Sequence, residues 1–159
     1  MRHATPATRP QAIRVNLTLP VTRIGVGVFS FDPVAHAIGA PLAHVLAPLM
    51  VGPVTQRPSV SGPAVEVYPL ALPEGEGLAI PLGAHGEIGF ANDAGLLALT
   101  VPWAASGWVR QRLGDAVVDG PQQRQCGAAW VATFRVRLRA GMRASWPIGG
   151  IGEVGVEAA

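Results

Sequence analysis

The residues able to do chemistry are few and unevenly placed. Arg135, Arg137, Arg139 and Arg143 form the densest run of positive charge in the chain. At the two-residue period of a strand, the first three point to one side. If Ala140–Met142 closes a three-residue hairpin, with Gly141 taking a positive backbone torsion, Arg143 joins them on that face. Guanidinium forks in such an array fit phosphate or carboxylate. The stripe is therefore the candidate anion site, and through it the chain is a candidate nucleic-acid binder. Base stacking would need aromatic side chains among the arginines, whereas the same register places Trp130, Phe134 and Trp146 on the opposite, dry face.

The other chemical residues read as structural. Glu87 and Glu153 sit in two copies of a P-[LI]-G-x-x-G-E-[IV]-G segment, where a repeated carboxylate caps backbone N–H groups or pairs with an arginine. Paired carboxylates run acid–base chemistry only when their surroundings separate their pKa values. His36 and His44 stand eight residues apart with Pro41 between them, and His85 has Ile151 as its counterpart. Helical zinc ligands sit three or four apart, so no metal site is expected. The glycines of the repeated segment precede a strand rather than a helix and lack the Gly-Lys-Ser/Thr of a phosphate loop. Cys126 and the serines, Ser30, Ser59, Ser61, Ser106 and Ser145, carry no nucleophile signature. The expectation is a protein without catalytic residues or cofactor.

Composition narrows the class further. In 159 residues, apolar types make up 49 % and charged types 14 %, against roughly 25 % charged in ordinary globular chains. This excludes disorder, which needs few hydrophobes and much charge. Twelve basic residues, all arginine, against ten acidic ones leave a net charge of +2, too little for a dedicated nucleic-acid domain. A single cysteine suits a reducing cytoplasm. No apolar stretch is long and unbroken enough to cross a membrane as a helix.

The elements that must position these residues follow from periodicity. Residues 1–11 read as a loose leader, and residues 12–159 as one domain. Ile13, Val15, Leu17 and Leu19 alternate with polar residues as a strand, and Val26–Phe31 reads as a second. Asp32-Pro33 opens a helix over 33–50, with Val34, Ile38, Leu42, Val45 and Leu49 on one apolar stripe; residues 51–63 read as a loop. A helix over Trp103–Val118 has Ala105, Trp108, Val109, Leu113, Ala116 and Val117 as its apolar face.

Shifted by 66 residues, Val65–Phe90 meets Val131–Val156, with eight identities that include Pro81, Gly83, Gly86, Glu87 and Gly89. Upstream, with a short gap, Gly52-Pro53 and Gln56-Arg57 answer Gly120-Pro121 and Gln123-Arg124. Two repeats are thus expected, about 24–91 and 92–158, each a β-α-β-β-β unit. The fold class is α+β, a mostly antiparallel sheet with two helices on one face. DNA sliding clamps share that element order, an analogy of topology that carries no function.

The neutral surface and the apolar helix over 33–50 need a covering partner. The first expectation is a homo-oligomeric assembly protein in contact through Val34, Ile38, Leu42, Val45 and Leu49. The alternatives are an anion or nucleic-acid binder, clamp- or saddle-like, using the arginines, and a carrier of an apolar small molecule.

Overall fold

A computed structural model describes residues 12–20, 46–59, 62–81, 86–148 and 152–159. Within these lie ten strands and one α-helix: β1 (Ile13–Pro20), β2 (Thr55–Ser59), β3 (Gly62–Leu72), β4 (Gly77–Pro81), β5 (Glu87–Asp93), β6 (Leu96–Pro102), α1 (Ser106–Leu113), β7 (Val117–Cys126), β8 (Ala129–Val136), β9 (Arg143–Ile148) and β10 (Gly152–Ala158). They form two antiparallel five-stranded sheets, in the orders β2-β3-β1-β10-β9 and β4-β5-β6-β8-β7.

Alternation decides how the sheets meet. Val15, Leu17 and Leu19 of β1 and Tyr68, Leu70 and Leu72 of β3 project from one side of the first sheet. Leu97, Leu99 and Val101 of β6 and Ala132, Phe134 and Val136 of β8 project from one side of the second. All belong to a single buried cluster, together with Trp146, Phe90 and Val154. Two sheets with one dry side each have packed those sides together, which is the logic of a sandwich.

The single sheet with helices on one face is therefore replaced by two facing sheets. Among the described residues there is one α-helix, and it lies along an edge. From α1, Arg112 Nη1 donates to the carbonyl of Ser145 in β9 at 2.8 Å, covering an edge strand that would otherwise offer its backbone to other chains. Residues 51–63, read as a loop, contain β2, whose Pro58 and polar side chains suit an edge and mask its strand character. The expected strand Val26–Phe31, the leader 1–11 and most of the 33–50 helix lie outside the described residues. Of that helix, Ala47–Leu49 is a 3₁₀ turn and Leu46 is buried.

The two sheets are paired in matching registers. Thr18 faces Gly155 in one, and Thr100 faces Gly89 in the other. Val154 faces Trp146, and Ile88 faces Ile80. Arg57 faces Val65, and Arg124 faces Val131. A shift of 66 residues carries β3, β4 and β5 onto the pairing places of β8, β9 and β10, and a shift of 82 carries β1 onto that of β6. Leu17-Thr18-Leu19-Pro20 and Leu99-Thr100-Val101-Pro102 hold corresponding places. Among the described residues, the strand holding the place that corresponds to β6 is β1. Each sheet takes three strands from one half of the chain and two from the other, because the connections after β3 and after β8 both cross between the sheets. The two crossings close alike: Glu76 N–H donates to the Pro73 carbonyl and Met142 N–H to the Arg139 carbonyl, each at 2.9 Å, with Gly75 and Gly141 both at φ 78°.

Candidate functional site

The crossing at residues 137–142 divides the arginine stripe. β8 and β9 do not pair as a hairpin; they enter opposite sheets. Val136, Ala144 and Trp146 do share the buried side, as their alternation requires. Two facing sheets, however, turn their wet sides 180° apart. Arg135 stands on the outer face of the second sheet, where its Nε lies 3.1 Å from Asp93 Oδ2, close enough for an ion pair but poorly directed for a hydrogen bond. Arg143 stands on the outer face of the first sheet, its Nε 3.4 Å from Glu157 Oε2. Arg137 and Arg139 are exposed on the crossing itself. The structure brings no two of the four onto one sheet face.

Arg143 instead joins residues far from it in sequence. The outer face of the first sheet holds a cleft of about 320 Å³, lined by Thr18, Arg57, Arg143, Ser145, Glu153 and Glu157 among others. Arg57 comes from edge strand β2 and Arg143 from the opposite edge, yet both reach Glu157 Oε2. The right-handed twist of a sheet makes one diagonal of its outer face concave, which lets side chains of the two edges converge. Gly155 lies between Glu153 and Glu157 on β10 and packs closely: a Cβ there would stand 2.6 Å from both the Ala144 carbonyl oxygen and Thr18 Oγ1.

The outer face of the second sheet is built more plainly. Arg124 Nη2 lies 3.0 Å from Glu87 Oε2, the arginine pairing expected of that carboxylate. Cys126 Sγ donates to Glu87 Oε1 at 3.4 Å. Burial, reinforced by the hydrogen bond to and the charge of Glu87, pushes the Cys126 thiol above its ordinary pKa, against a smaller opposing effect of Arg124. Thr100 and Thr133 hydroxyls meet at 3.0 Å. A Cβ on Gly86 would meet Val131 Cγ1 at 2.9 Å, so the chain passes close over the end of β8, and Val131 is buried although it faces outward.

Among the described residues, one carboxylate side chain is buried on an inward side. Glu66 is 7 % exposed on the inward side of β3; its carboxylate accepts from the Tyr68 hydroxyl at 2.8 Å and from Gln56 Nε2 at 3.1 Å. The corresponding places in the other sheet are Ala132, Phe134 and Gln123. Sequence reasoning missed this cluster; Glu66, set between Val65 and Val67 in an apolar strand, was its available signal.

The second surface is aromatic. Trp103, Trp108 and Trp130 are 39 %, 44 % and 49 % exposed, which overturns the buried places expected of Trp108 and Trp130. Pro102 and Val131 form the last described pair between β6 and β8, so Trp103 and Trp130 leave the same end of neighbouring strands. Trp130 has the inward parity of Ala132 and Phe134 but, near the start of β8, is left exposed. Arg112 stacks over Trp108, 4.9 Å from the ring centroid. Beside the helix a groove of about 470 Å³ runs past Arg110, Gln111, Val118 and Asp119.

Among the expected contact residues, Leu49 is partly buried against the chain's own core. Val34, Ile38, Leu42 and Val45 lie outside the described residues, as do His36, His44 and His85. Among the described residues no group of three metal-ligating side chains converges, and no helix is long and apolar enough to cross a membrane. No family model, curated protein or solved structure matches the chain.

Proposed function

We propose that the protein is a non-enzymatic assembly protein that associates with itself, built from two copies of one five-stranded unit whose last two strands are exchanged between the sheets. The observation that carries the assembly reading is the exposure of Trp103 and Trp130 together at one end of the second sheet. Tryptophan is enriched among residues that dominate binding energy at interfaces, and an apolar patch on an otherwise neutral surface marks a contact site. Self-association is the economical occupant, since homo-oligomers with closed symmetry are the commonest assemblies. The matching registers of the two sheets support the duplication, with copies over about 13–93 and 96–158. A cytoplasmic setting fits a chain with one cysteine.

The rival readings have less behind them. The arginines of the anion-binding reading are divided between faces, and Arg135 and Arg143 each have a carboxylate close by. For a carrier of apolar molecules, the space between the sheets is filled by Trp146, Tyr68, Phe90 and Phe134.

The test is the absolute mass in solution, by light scattering behind a sizing column at about 50 and 500 mM salt, on either side of the range where surface charges are screened. The expected result is a salt-independent dimer or larger ring, which Trp103→Ala with Trp130→Ala converts to a smaller folded species. A monomer at both salts would overturn the reading.

A further inference from the structure

The two sheets provide an internal comparison that singles out the cleft on the first. Thr18, Arg57 and Glu153 have matching residues at the corresponding places of the second sheet, namely Thr100, Arg124 and Glu87. Arg143, Ser145 and Glu157 do not: Gly77, Ala79 and Ala91 stand there instead. The strand pairing is the same in both sheets, so the framework forms without three polar side chains at these places. They are an addition to the first sheet, and all three line its cleft.

Their arrangement has a definite chemistry. Two guanidinium forks, with five N–H donors each, close on one carboxylate oxygen, Glu157 Oε2. Glu157 is 16 % exposed, whereas Arg143 is 65 % exposed at the rim, where it is free to turn toward an incoming group. Donors in that fork are left for a second carboxylate, whose geometry they match. Glu153 and Glu157 face the same space, and Thr18 and Ser145 add hydroxyl groups to its lining. A simple anion entering the cleft meets two carboxylates, and a simple cation meets two guanidinium groups. A molecule carrying both charges is complementary to the whole lining. The volume, about 320 Å³, stands at the lower end of the roughly 300–1,000 Å³ of small-molecule sites.

We propose that this cleft binds a small zwitterion of the α-amino acid type, its carboxylate held by Arg57 and Arg143 and its ammonium by Glu153 and Glu157. Among the described residues, no tryptophan lines the cleft.

The test is calorimetric titration and saturation-transfer NMR of the full chain with glycine, L-alanine, L-glutamate and L-arginine, and with acetate and ethylamine as the single-charge halves. At least one amino acid is expected to bind about tenfold more tightly than either half, a difference worth about 1.4 kcal/mol. Arg143→Gly combined with Glu157→Ala reproduces what the other sheet has in place and is expected to abolish that binding while the circular dichroism spectrum stays native. If this pair of changes disturbs folding, Ser145→Ala, which removes one oxygen from the lining, is expected to weaken binding several-fold. No saturation transfer from any of the four amino acids, acetate binding as tightly as they do, or affinity unchanged in the folded variants would each overturn the proposal.

Discussion

Alanine at Gly155 is the sharpest single test of how the two sheets are put together, because Gly89 holds the matching place and meets different neighbours. A Cβ at residue 155 would stand 2.6 Å from the Ala144 carbonyl oxygen, 2.6 Å from Thr18 Oγ1 and 3.0 Å from Ser145 Cβ. The threonine can rotate away, but the carbonyl belongs to the neighbouring strand and can move only if β9 and β10 separate locally. Overpacking of this kind costs about 2–3 kcal/mol. The loss of freedom in the unfolded chain returns about 0.4–1 kcal/mol, leaving a net destabilisation of about 1–2.6 kcal/mol. At about 2–4 °C per kcal/mol for a chain of this size, the melting temperature falls by about 2–10 °C. At residue 89 the nearest atoms are Thr100 Cβ at 3.2 Å, Thr100 Oγ1 at 3.4 Å and the Leu78 carbonyl oxygen at 3.6 Å. Here the crowding falls on a side chain, the two effects nearly cancel, and Gly89→Ala is expected to stay within about 0.5 kcal/mol of the parent. Urea unfolding followed by tryptophan fluorescence measures both, since Trp146 is fully buried. The packing argument fails if Gly155→Ala is as stable as the parent, or if Gly89→Ala is the more damaging change.

Further outcomes follow from the same geometry. Leu17→Ala and Leu99→Ala remove fully buried side chains from matching places on the central strands of the two sheets. Each is expected to cost about 2–5 kcal/mol, with the two values close together; in the same urea assay, a negligible cost for either would detach its sheet from the common core. Because burial and Glu87 raise the Cys126 pKa, the thiolate is scarce near neutral pH, and alkylation by iodoacetamide should be slower than for an unhindered thiol. Glu87→Gln keeps an acceptor oxygen but removes the negative charge that helps raise the pKa, and should speed the reaction at fixed pH; an unchanged rate would show that the charge of Glu87 does not govern the thiol.

Much of the local structure is legible in the residues themselves. The alternation in Ile13–Leu19, the positive torsion at Gly141 and the helix centred on Val109 rest on interactions within a few residues, and each is found at its expected place, the helix as the shorter Ser106–Leu113. The edge strand β2 was hidden because Pro58 and a run of polar side chains look alike in a loop and at an open sheet edge. Helix and strand periodicity put Trp108 and Trp130 on the dry sides of their elements, yet both are exposed. Their exposure depends on which surfaces the completed fold covers, and nothing near them in the chain records that.

The site was legible only in fragments. Arg143 was found by its charge, but Arg57 and Glu157, 100 residues apart in sequence, meet through the twist of a completed sheet. Periodicity alone determined which side of each strand is dry, because burial of alternate side chains is a property of the strand. It left undecided whether β8 and β9 share one sheet, since a hairpin and a crossing between facing sheets need the same dry side and the same turn glycine. Tertiary packing chose the crossing. The choice turned Arg135 and Arg143 to opposite sides of the molecule, because wet faces on two sheets that share one core must point away from each other.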